Sequence, residues 1–222
     1  MHNHDTNDAR TAPRKLLVLG ATGGTGRLIV EQALARGYEV TALVRSPEKG
    51  PVHKDAKLVI GDARDEAALR EAAKGQDAVV SALGTPASPF REVSLLSIAT
   101  RSLVSAMKAE RVSRLVVITG MGAGDSVGHG GALFDYLILP LLLGRVYADK
   151  NRQEAIVRES GLDWILVRPV ILNDKPGRNT VRAFTDLSGI HGGTISRADV
   201  ATFVLDQLRA DTWRHQAPLI MW

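Results

Sequence analysis

The sequence predicts an α/β fold with a doubly wound, mostly parallel sheet, and two observations predict it. Short apolar runs recur along the chain, and helical patterns separate them. The runs are continuously apolar rather than alternating, which is typical of strands buried on both faces. Strands that alternate with helices form βαβ units, and such units build a parallel sheet. The six predicted strands span residues 16–19, 40–44, 58–60, 78–80, 115–118 and 164–167.

The helices between these strands are indicated by apolar residues spaced one turn apart and by glycines where several helices end. In the first helix Ile29 and Ala33 share the apolar side, and Gly37 ends the helix. Ser196 is predicted to be the N-cap of the last helix. The predicted helices span residues 24–36, 65–74, 93–110, 151–159 and 200–208, and a last strand over residues 218–221 closes the chain.

Length and spacing predict how the chain is organised. A chain of 222 residues suits one α/β domain. No internal repeat or long linker divides it, so we expect a single domain over residues 14–222. Residues 1–13 are polar and lack the apolar core of a signal peptide. They are predicted to form a disordered tail.

Composition excludes several classes of function. The chain has no cysteine, which rules out disulfides and thiolate metal sites and fits a cytoplasmic protein. We expect no metal site. The net charge of +4 is modest and the basic residues are dispersed, so we expect no nucleic-acid partner. The longest apolar stretch, residues 133–143, is too short to cross a membrane, which needs about 20 residues.

The segment over residues 120–144 is glycine-rich at its start and strongly apolar at its end. One interpretation is a mobile loop followed by a buried helix with a kink at Pro140. The other is a flexible active-site loop with a helix that forms a pocket wall or a subunit contact. The residues alone leave both interpretations open.

A glycine-rich turn follows the first strand and leads directly into the first helix. This setting is typical of a Rossmann-type dinucleotide site. The first glycine allows a sharp turn, the middle glycine lets backbone approach a pyrophosphate, and the last allows close packing of helix on sheet. The helix N-terminus directs free N–H groups at the phosphates. The residues predicted to bind the cofactor here are Gly20, Thr22, Gly23, Gly24, Thr25 and Gly26.

The end of the second strand indicates which dinucleotide is bound. Sites for NAD usually have an acidic residue there, which binds the ribose 2′-hydroxyl. Arg45 takes that place in this sequence, and Ser46 and Lys49 follow it. A guanidinium binds a 2′-phosphate through paired hydrogen bonds. The sequence therefore predicts NADP(H) as the cofactor.

Two further segments follow strands of the predicted sheet. Asp62 and Ala63 come after the third strand, and Ala82, Leu83 and Gly84 come after the fourth. Ligands of open parallel sheets lie outside the carboxyl ends of the strands, so we expect both segments to line the cofactor site. For Asp62, a role as a helix cap or turn acid is an equally good interpretation.

The order of these motifs resembles that of the atypical short-chain dehydrogenase/reductases. The resemblance includes Gly-Ala-Thr-Gly-Gly-Thr-Gly at residues 20–26, Val-Arg-Ser-Pro at 44–47 and Gly-Asp-Ala at 61–63. It continues with Asp-Ala-Val-Val-Ser-Ala-Leu-Gly at 77–84 and Lys-Asn-Arg-Gln-Glu at 150–154. Within this group the chain is most similar to NAD(P)H-binding proteins of the biliverdin reductase B/flavin reductase and NmrA-like type.

The resemblance implies a Rossmann domain with a small C-terminal lobe on the substrate side. It implies NADPH as the usual cofactor, with its nicotinamide near Thr119 and near the segment Pro169, Val170 and Ile171. It also implies that Lys150 lies near the nicotinamide ribose. Thr119 stands roughly where the family has its catalytic serine, so Thr119 and Lys150 are the candidate catalytic residues. For Thr119 and for Ser126 in the following loop, a purely structural role is an equal alternative.

The chain departs from the Tyr-x-x-x-Lys pattern of common short-chain dehydrogenases. Tyr147 and Lys150 are only three positions apart. On a helix they are still neighbours, but the register differs. We therefore interpret Tyr147 as a buried amphipathic side chain rather than as the catalytic acid.

Two functions remain as expectations. The first is an NADPH-dependent oxidoreductase that transfers hydride to a small planar acceptor such as a flavin, a quinone or a tetrapyrrole. Such acceptors need little acid catalysis, so proximity and electrostatics are sufficient. The second is a non-catalytic redox sensor of the NmrA-like type. A sugar-nucleotide epimerase and a carbonyl reductase are weaker alternatives, and the protein is expected to be a monomer or a homodimer.

Overall fold

The computed structural model describes residues 13–46 and 52–222. The predicted tail, apart from Pro13, and Lys49 lie outside the described residues. The strands are β1 (Lys15–Leu19), β2 (Glu39–Val44), β3 (Lys57–Ile60), β4 (Ala78–Ser81), β5 (Arg114–Ile118), β6 (Asp163–Pro169), β7 (Ile171–Asn173), β8 (Arg182–Phe184), β9 (Thr194–Ser196) and β10 (Leu219–Met221). The α-helices are α1 (Gly24–Ala35), α2 (Glu66–Ala73), α3 (Leu95–Ala109), α4 (Gly144–Arg158) and α5 (Arg197–Asp206).

The main sheet has eight strands in the order β3-β2-β1-β4-β5-β6-β10-β8. Seven of them run parallel, and β8 pairs antiparallel with β10. The chain winds outward from β1 to β3 in one direction and from β4 to β6 in the other. The Rossmann-type, doubly wound parallel sheet in a single domain is therefore confirmed. The reversal between β1 and β4 leaves a crevice at their carboxyl ends, where such folds bind ligands.

Alternate residues of the central strands enter two separate hydrophobic cores. Leu16 and Val18 of β1 pack in the same core as residues of α1 and α5. Leu17 and Leu19 pack in the opposite core with residues of α2, α3 and α4. Because side chains alternate across a strand, the continuously apolar run of β1 supplies both faces of the sheet.

The expectation that every strand is buried on both faces is wrong for β3. Leu58 is 41% exposed and Ile60 is 65% exposed. The strand lies at the edge of the sheet and pairs only with β2. An apolar run reveals that a strand is favoured, but its position in the sheet depends on the order in which strands pair.

The apolar segment after the glycine-rich loop is not a buried helix, so that interpretation is wrong. It forms a π-helix over Phe134–Leu143 with Pro140 inside it, and none of its residues is buried. Leu137 and Leu141 are exposed. The π-helix leads directly into α4, which therefore begins at Gly144 rather than at residue 151.

Three short strands were not predicted. β7 and β9 pair in parallel as a separate two-stranded sheet, and β8 extends the main sheet beyond β10. Each spans three residues, which is too short to show a period. Together they form the C-terminal lobe, defined here as residues 170–199 with β10. Asp199 ties the lobe together, because its carboxylate accepts hydrogen bonds from the backbone amides of Arg178 and Asn179 and from the indole of Trp222.

The predicted N-cap of the last helix is confirmed. Ser196 Oγ accepts a hydrogen bond of 3.0 Å from the backbone amide of Asp199. The helix begins at Arg197, so its first turn is earlier than the apolar pattern indicated. This places the Arg197 side chain at the boundary between the lobe and the main sheet.

Candidate cofactor site

A cavity of about 500 Å³ opens at the carboxyl ends of the parallel strands. This volume lies in the range of small-molecule and cofactor sites. Its walls come from the ends of β1, β2 and β5 and the segments after β1 to β5, together with one residue each of α3 and α4 and two of the C-terminal lobe. The lining residues that sequence analysis predicted are Gly20, Thr22, Gly23, Gly24, Thr25, Arg45, Asp62, Ala63, Ala82, Leu83, Gly84, Thr119 and Lys150.

The glycine turn forms the floor of the cavity. Gly20 has φ of 76°, and a Cβ there would lie 2.5 Å from the carbonyl oxygen of Ala82. A Cβ on Gly26 would overlap the carbonyl oxygen of Gly20. Gly26 therefore packs beneath the turn and does not line the cavity. No larger residue fits either position, because backbone lies where its side chain would begin.

The N-terminus of α1 faces the cavity with free backbone donors. Its N-cap is Gly23, which provides no side-chain hydrogen bond to the first turn. The first N–H groups of a helix have no intrahelical partner. Thr22, Gly24 and Thr25 line the same part of the cavity. The geometry suits an anionic group, which the free donors and the helix dipole both favour.

Arg45 and Asp62 form the far wall, at the ends of β2 and β3. The Arg45 side chain lies in an exposed position, and its charge contributes to lowering the pKa of Asp62. Asp62 accepts hydrogen bonds from the backbone and side chain of Arg64, which hold the pKa of its carboxyl at about 2. Asp62 therefore closes a local turn and also lines the cavity, as both interpretations of it expected. The N-cap of α2 is its neighbour Asp65.

Thr119 and Lys150 meet at the opposite end of the cavity, beyond β5. The Lys150 ammonium donates a hydrogen bond to the carbonyl oxygen of Thr119. The hydroxyl of Thr119 points away from this contact and donates to Glu154 Oε1 at 2.8 Å. Burial lowers the pKa of Lys150 to about 8, and the negative charge of Glu154 partly opposes that shift.

Tyr147 lies beside Lys150 but does not have the properties of a tyrosine acid. Burial raises the pKa of Tyr147 to about 12. The Lys150 ammonium lies 4.9 Å from the centre of the tyrosine ring, over its face. A catalytic tyrosine needs a lowered pKa, and the neighbouring ammonium does not offset the effect of burial, so this arrangement agrees with the interpretation of Tyr147 as an amphipathic packing residue.

A buried ion pair lies behind Thr119, and sequence analysis assigned no role to its members. Arg168 is 1% exposed and meets Glu154 through two hydrogen bonds, of 3.0 Å and 2.6 Å. Its Nη2 also reaches Asp125 at 2.6 Å. Arg168 stands in the apolar run of β6, and a charged residue in a fully buried strand was the signal that a partner had to exist.

Ser126 belongs to this structural framework rather than to the cavity. It is fully buried, and its hydroxyl donates to the carbonyl of Ala123 at 2.6 Å. The same oxygen accepts the backbone amide of Gly122 at 2.9 Å. Both bonds close the loop after β5, so the hydroxyl is directed at backbone.

The segment Pro169, Val170 and Ile171 lies next to the cavity but does not line it. Pro169 and Val170 are buried, and the backbone amide of Met121 donates to the carbonyl of Pro169 at 3.0 Å. Leu172 lines the cavity instead. The two segments that the resemblance associates with the nicotinamide are therefore adjacent in space.

Several residues of the lining were not predicted by sequence analysis, among them Leu95, Ile118, Leu172 and Arg197. Ile118 and Leu95 come from β5 and α3, and Leu172 and Arg197 come from the C-terminal lobe. Arg197 directly follows the predicted N-cap Ser196, and sequence analysis assigned it no role in the site. Its position over the cavity depends on how the lobe packs against the sheet, which no local pattern reveals.

Over residues 13–46 and 52–222, no cluster of three or more histidine, cysteine or acidic residues has the arrangement of a metal site. Within those same ranges, no helix is both long and apolar enough to traverse a lipid bilayer.

Comparisons with known proteins agree with this geometry. The model of a family described as NAD(P)H-binding matches residues 20–211. The chain is also 38% identical over 207 residues to the uncharacterized protein YwnB of Bacillus subtilis. That match covers 87% of this chain and 92% of YwnB.

Solved structures show the same fold. The structure is similar to that of ChuY, an anaerobillin reductase from Escherichia coli O157:H7, with a TM-score of 0.80 and 22% identity over 93% of this chain and 96% of ChuY. It is similar, with a TM-score of 0.78 and 15% identity over 95% of each chain, to a short-chain dehydrogenase/reductase of Veillonella parvula in complex with NADP.

The family match begins at the first glycine of the turn and includes β2, β3, β4 and β5, whose ends line the cavity. The expected class of cofactor, a nicotinamide dinucleotide, is thereby confirmed, together with an oxidoreductase-type fold. The resemblance found in the sequence motifs and the match of the family model identify the same group. The chain belongs to the NAD(P)H-binding family.

Proposed function

We propose that the protein is an NADPH-dependent reductase that transfers hydride to a planar acceptor such as a flavin, a quinone or a tetrapyrrole. The observation that supports this most strongly is the end of the cavity beyond β5. A partly buried lysine with a lowered pKa lies there, whereas the neighbouring tyrosine has a raised pKa. This combination suits an acceptor that needs charge stabilisation rather than a tyrosine acid.

The residues present fit the dinucleotide. The glycine turn offers free donors for the pyrophosphate, in a cradle that a Cβ at Gly20 would fill. Arg45 would bind the 2′-phosphate, because its guanidinium forms paired hydrogen bonds with phosphate oxygens. Lys150 would lie near the nicotinamide ribose. Bound NADPH supplies the hydride.

The chain's own residues would position the reactants and stabilise charge. The carbonyl of Thr119 holds the Lys150 ammonium at the cavity wall. In that position the ammonium favours negative charge that develops on the acceptor. Leu172 and Ile118 provide apolar surface beside it. Solvent supplies the proton that the reduced acceptor takes up.

Similarity in fold guides the choice of acceptors. ChuY is an anaerobillin reductase, which supports keeping tetrapyrroles among the candidate acceptors beside flavins and quinones. The proposal extends to a small-molecule partner, to a monomer or a homodimer, and to the cytoplasm as the location.

The second candidate is a non-catalytic redox sensor that binds NADP(H) and a partner protein. The exposed apolar surface of the π-helix favours it, since large exposed apolar patches mark interaction sites. This candidate predicts firm NADPH binding without turnover of any acceptor.

The test is NADPH oxidation with FMN, riboflavin, a quinone, biliverdin and dichlorophenolindophenol, beside NADPH binding followed by fluorescence. Turnover of one acceptor that is lost in Lys150→Ala supports the reductase. Binding without turnover by the wild-type protein supports the sensor. A Lys150→Ala variant with unchanged binding and turnover removes Lys150 from the site.

A further inference from the structure

Arg197 approaches the cofactor cavity from the C-terminal lobe. It is the first residue of α5, and its side chain lines the cavity. A Cβ on Gly24 would lie 3.0 Å from both Cδ and Nε of Arg197. The side chain therefore passes directly over the first residue of α1, and the glycine at position 24 leaves room for it.

The site beneath Arg197 is where a dinucleotide pyrophosphate is expected. In Rossmann folds the pyrophosphate lies at the N-terminus of the helix after the glycine turn. Here that N-terminus begins at Gly24, and its N-cap residue Gly23 forms no side-chain cap. An anion bound by these amides would have the Arg197 guanidinium on its other side.

Among the cations of the cavity lining, Arg197 is the one placed to bind the pyrophosphate. The cations that line the cavity, among the residues that the structure describes, are Arg45, Lys150 and Arg197. Arg45 follows β2, and Lys150 is bound to the carbonyl of Thr119 beyond β5. Arg197 is the one whose side chain lies against the glycine turn.

The present partner of Arg197 is easily replaced. Its Nη1 lies 2.7 Å from Asp174 Oδ1, and the Asp174 side chain is 85% exposed. An ion pair with such an exposed carboxylate contributes little to stability. A phosphate above a helix N-terminus is a stronger partner for a guanidinium, because the hydrogen bonds are charge-assisted and the amides share the same anion.

We propose that Arg197 binds the pyrophosphate of NADP(H) from the lobe side, so that the cofactor links the C-terminal lobe to the main sheet. The inference rests on dinucleotide binding in the proposed function, and it is independent of which acceptor is reduced. It makes Arg197 a cofactor-binding residue that the glycine pattern does not reveal.

The test compares Arg197→Gln with a matched variant, Arg36→Gln. Arg36 forms an ion pair of the same 2.7 Å length with Asp206, between α1 and α5, but it does not line the cavity. The affinity for NADPH is measured by its fluorescence. NADH and adenosine 2′-monophosphate are measured as competitors, since the first has the pyrophosphate and the second lacks it.

We expect Arg197→Gln to weaken NADPH and NADH by a similar factor of roughly tenfold, as for loss of a charged hydrogen bond. The affinity for adenosine 2′-monophosphate should stay unchanged, and Arg36→Gln should bind all three as the wild type does. Asp174→Asn should bind NADPH at least as tightly as the wild type, because the guanidinium loses a competing partner.

Unchanged NADPH affinity in Arg197→Gln would overturn the proposal. If the KM for an anionic acceptor such as FMN rose instead, Arg197 would belong to the acceptor site. An equal loss for adenosine 2′-monophosphate would show damage to the fold and would also overturn it. Failure of the reductase proposal is recognised separately, as absence of turnover in the wild-type protein.

Discussion

The carboxylate of Glu154 and the guanidinium of Arg168 form a two-pronged ion pair in the interior, directly behind the candidate site. The same carboxylate accepts the hydroxyl of Thr119, and its charge acts on Lys150, one turn earlier on α4. The pair therefore links β6, α4 and the segment after β5. It anchors the side chain of Thr119, whose carbonyl accepts the hydrogen bond from Lys150.

We expect Glu154→Gln to destabilise the fold strongly. The change leaves Arg168 buried with a weakened partner, and breaking a buried pair costs about 3–5 kcal/mol. Unfolding by urea measures the loss. Glu159→Gln is the matched control, because Glu159 is exposed at the end of the same helix. A loss of stability no larger than in the control would contradict the assignment of this pair.

The lowered pKa of Lys150 predicts that reductase activity declines at alkaline pH. Its pKa is lowered to about 8, so the ammonium is charged below that pH and neutral above it. Turnover that relies on the charge should fall as pH rises through about 8. Lys150→Ala should be slower at neutral pH and should lack this decline.

The lowered pKa of Lys150 also affects the stability of the fold, which should change with pH in the opposite direction to activity. Because the folded-state pKa of Lys150 lies below its ordinary value of 10.5, the unfolded chain binds more protons between these values. Stability should therefore rise with pH across that interval. Lys150→Met should remove this rise.

The activity prediction for Lys150 has its own contradicting outcome. A wild-type profile of activity that stays flat through pH 8 would exclude a role for the lysine charge.

Arg45 should determine the preference between the two nicotinamide dinucleotides. Arg45→Asp places a carboxylate where the 2′-phosphate is expected, so NADPH affinity should fall by at least roughly tenfold relative to NADH. Binding titrations with both cofactors measure the ratio. Arg64→Gln is the control, since Arg64 is exposed nearby and pairs with Asp62. An unchanged ratio in Arg45→Asp would show that the phosphate binds elsewhere.

Asp199 should stabilise the C-terminal lobe in a way that depends on pH. Burial raises the pKa of its carboxyl, but hydrogen bonds from the amides of Arg178 and Asn179 and from Trp222 outweigh burial and lower it. A lowered folded-state pKa means that stability is present above the ordinary value of 3.8 and is lost as pH falls below it.

We expect Asp199→Asn to cost about 1–3 kcal/mol, as for a buried group that loses charged hydrogen bonds. It should also reduce the loss of stability in acid, measured by thermal unfolding across pH. Asp206→Asn is the control on the same helix, because Asp206 is exposed. Equal acid sensitivity in Asp199→Asn and the wild type would contradict this account.

Residues whose role is local were predictable from the sequence. Gly20 and Gly26 had to be glycine because backbone lies where a Cβ would be, and that requirement follows from a strand, a tight turn and a helix in succession. Ser196 is an N-cap through a contact with a residue three positions away. The position of Arg45 follows from counting along the second strand.

Other features depend on contacts between distant parts of the chain. Ile60 lies in a continuously apolar run, which is typical of a buried strand. It is nevertheless exposed, because β3 lies at the edge of the sheet. None of the apolar residues of the π-helix is buried and several are exposed, since nothing in a hydrophobic run specifies a partner. The lobe strands are too short for a period to be visible.

The sequence by itself determined the α/β class, the glycine turn and the family, because each depends on residues that are neighbours along the chain. Only the tertiary structure decided that Glu154 and Arg168 meet behind Thr119, and that Arg197 lies over Gly24. Position 197 is far from position 24 in sequence, and packing of the C-terminal lobe on the sheet brings them together. Local spacing cannot encode such a contact, because it depends on the free energy of the whole fold.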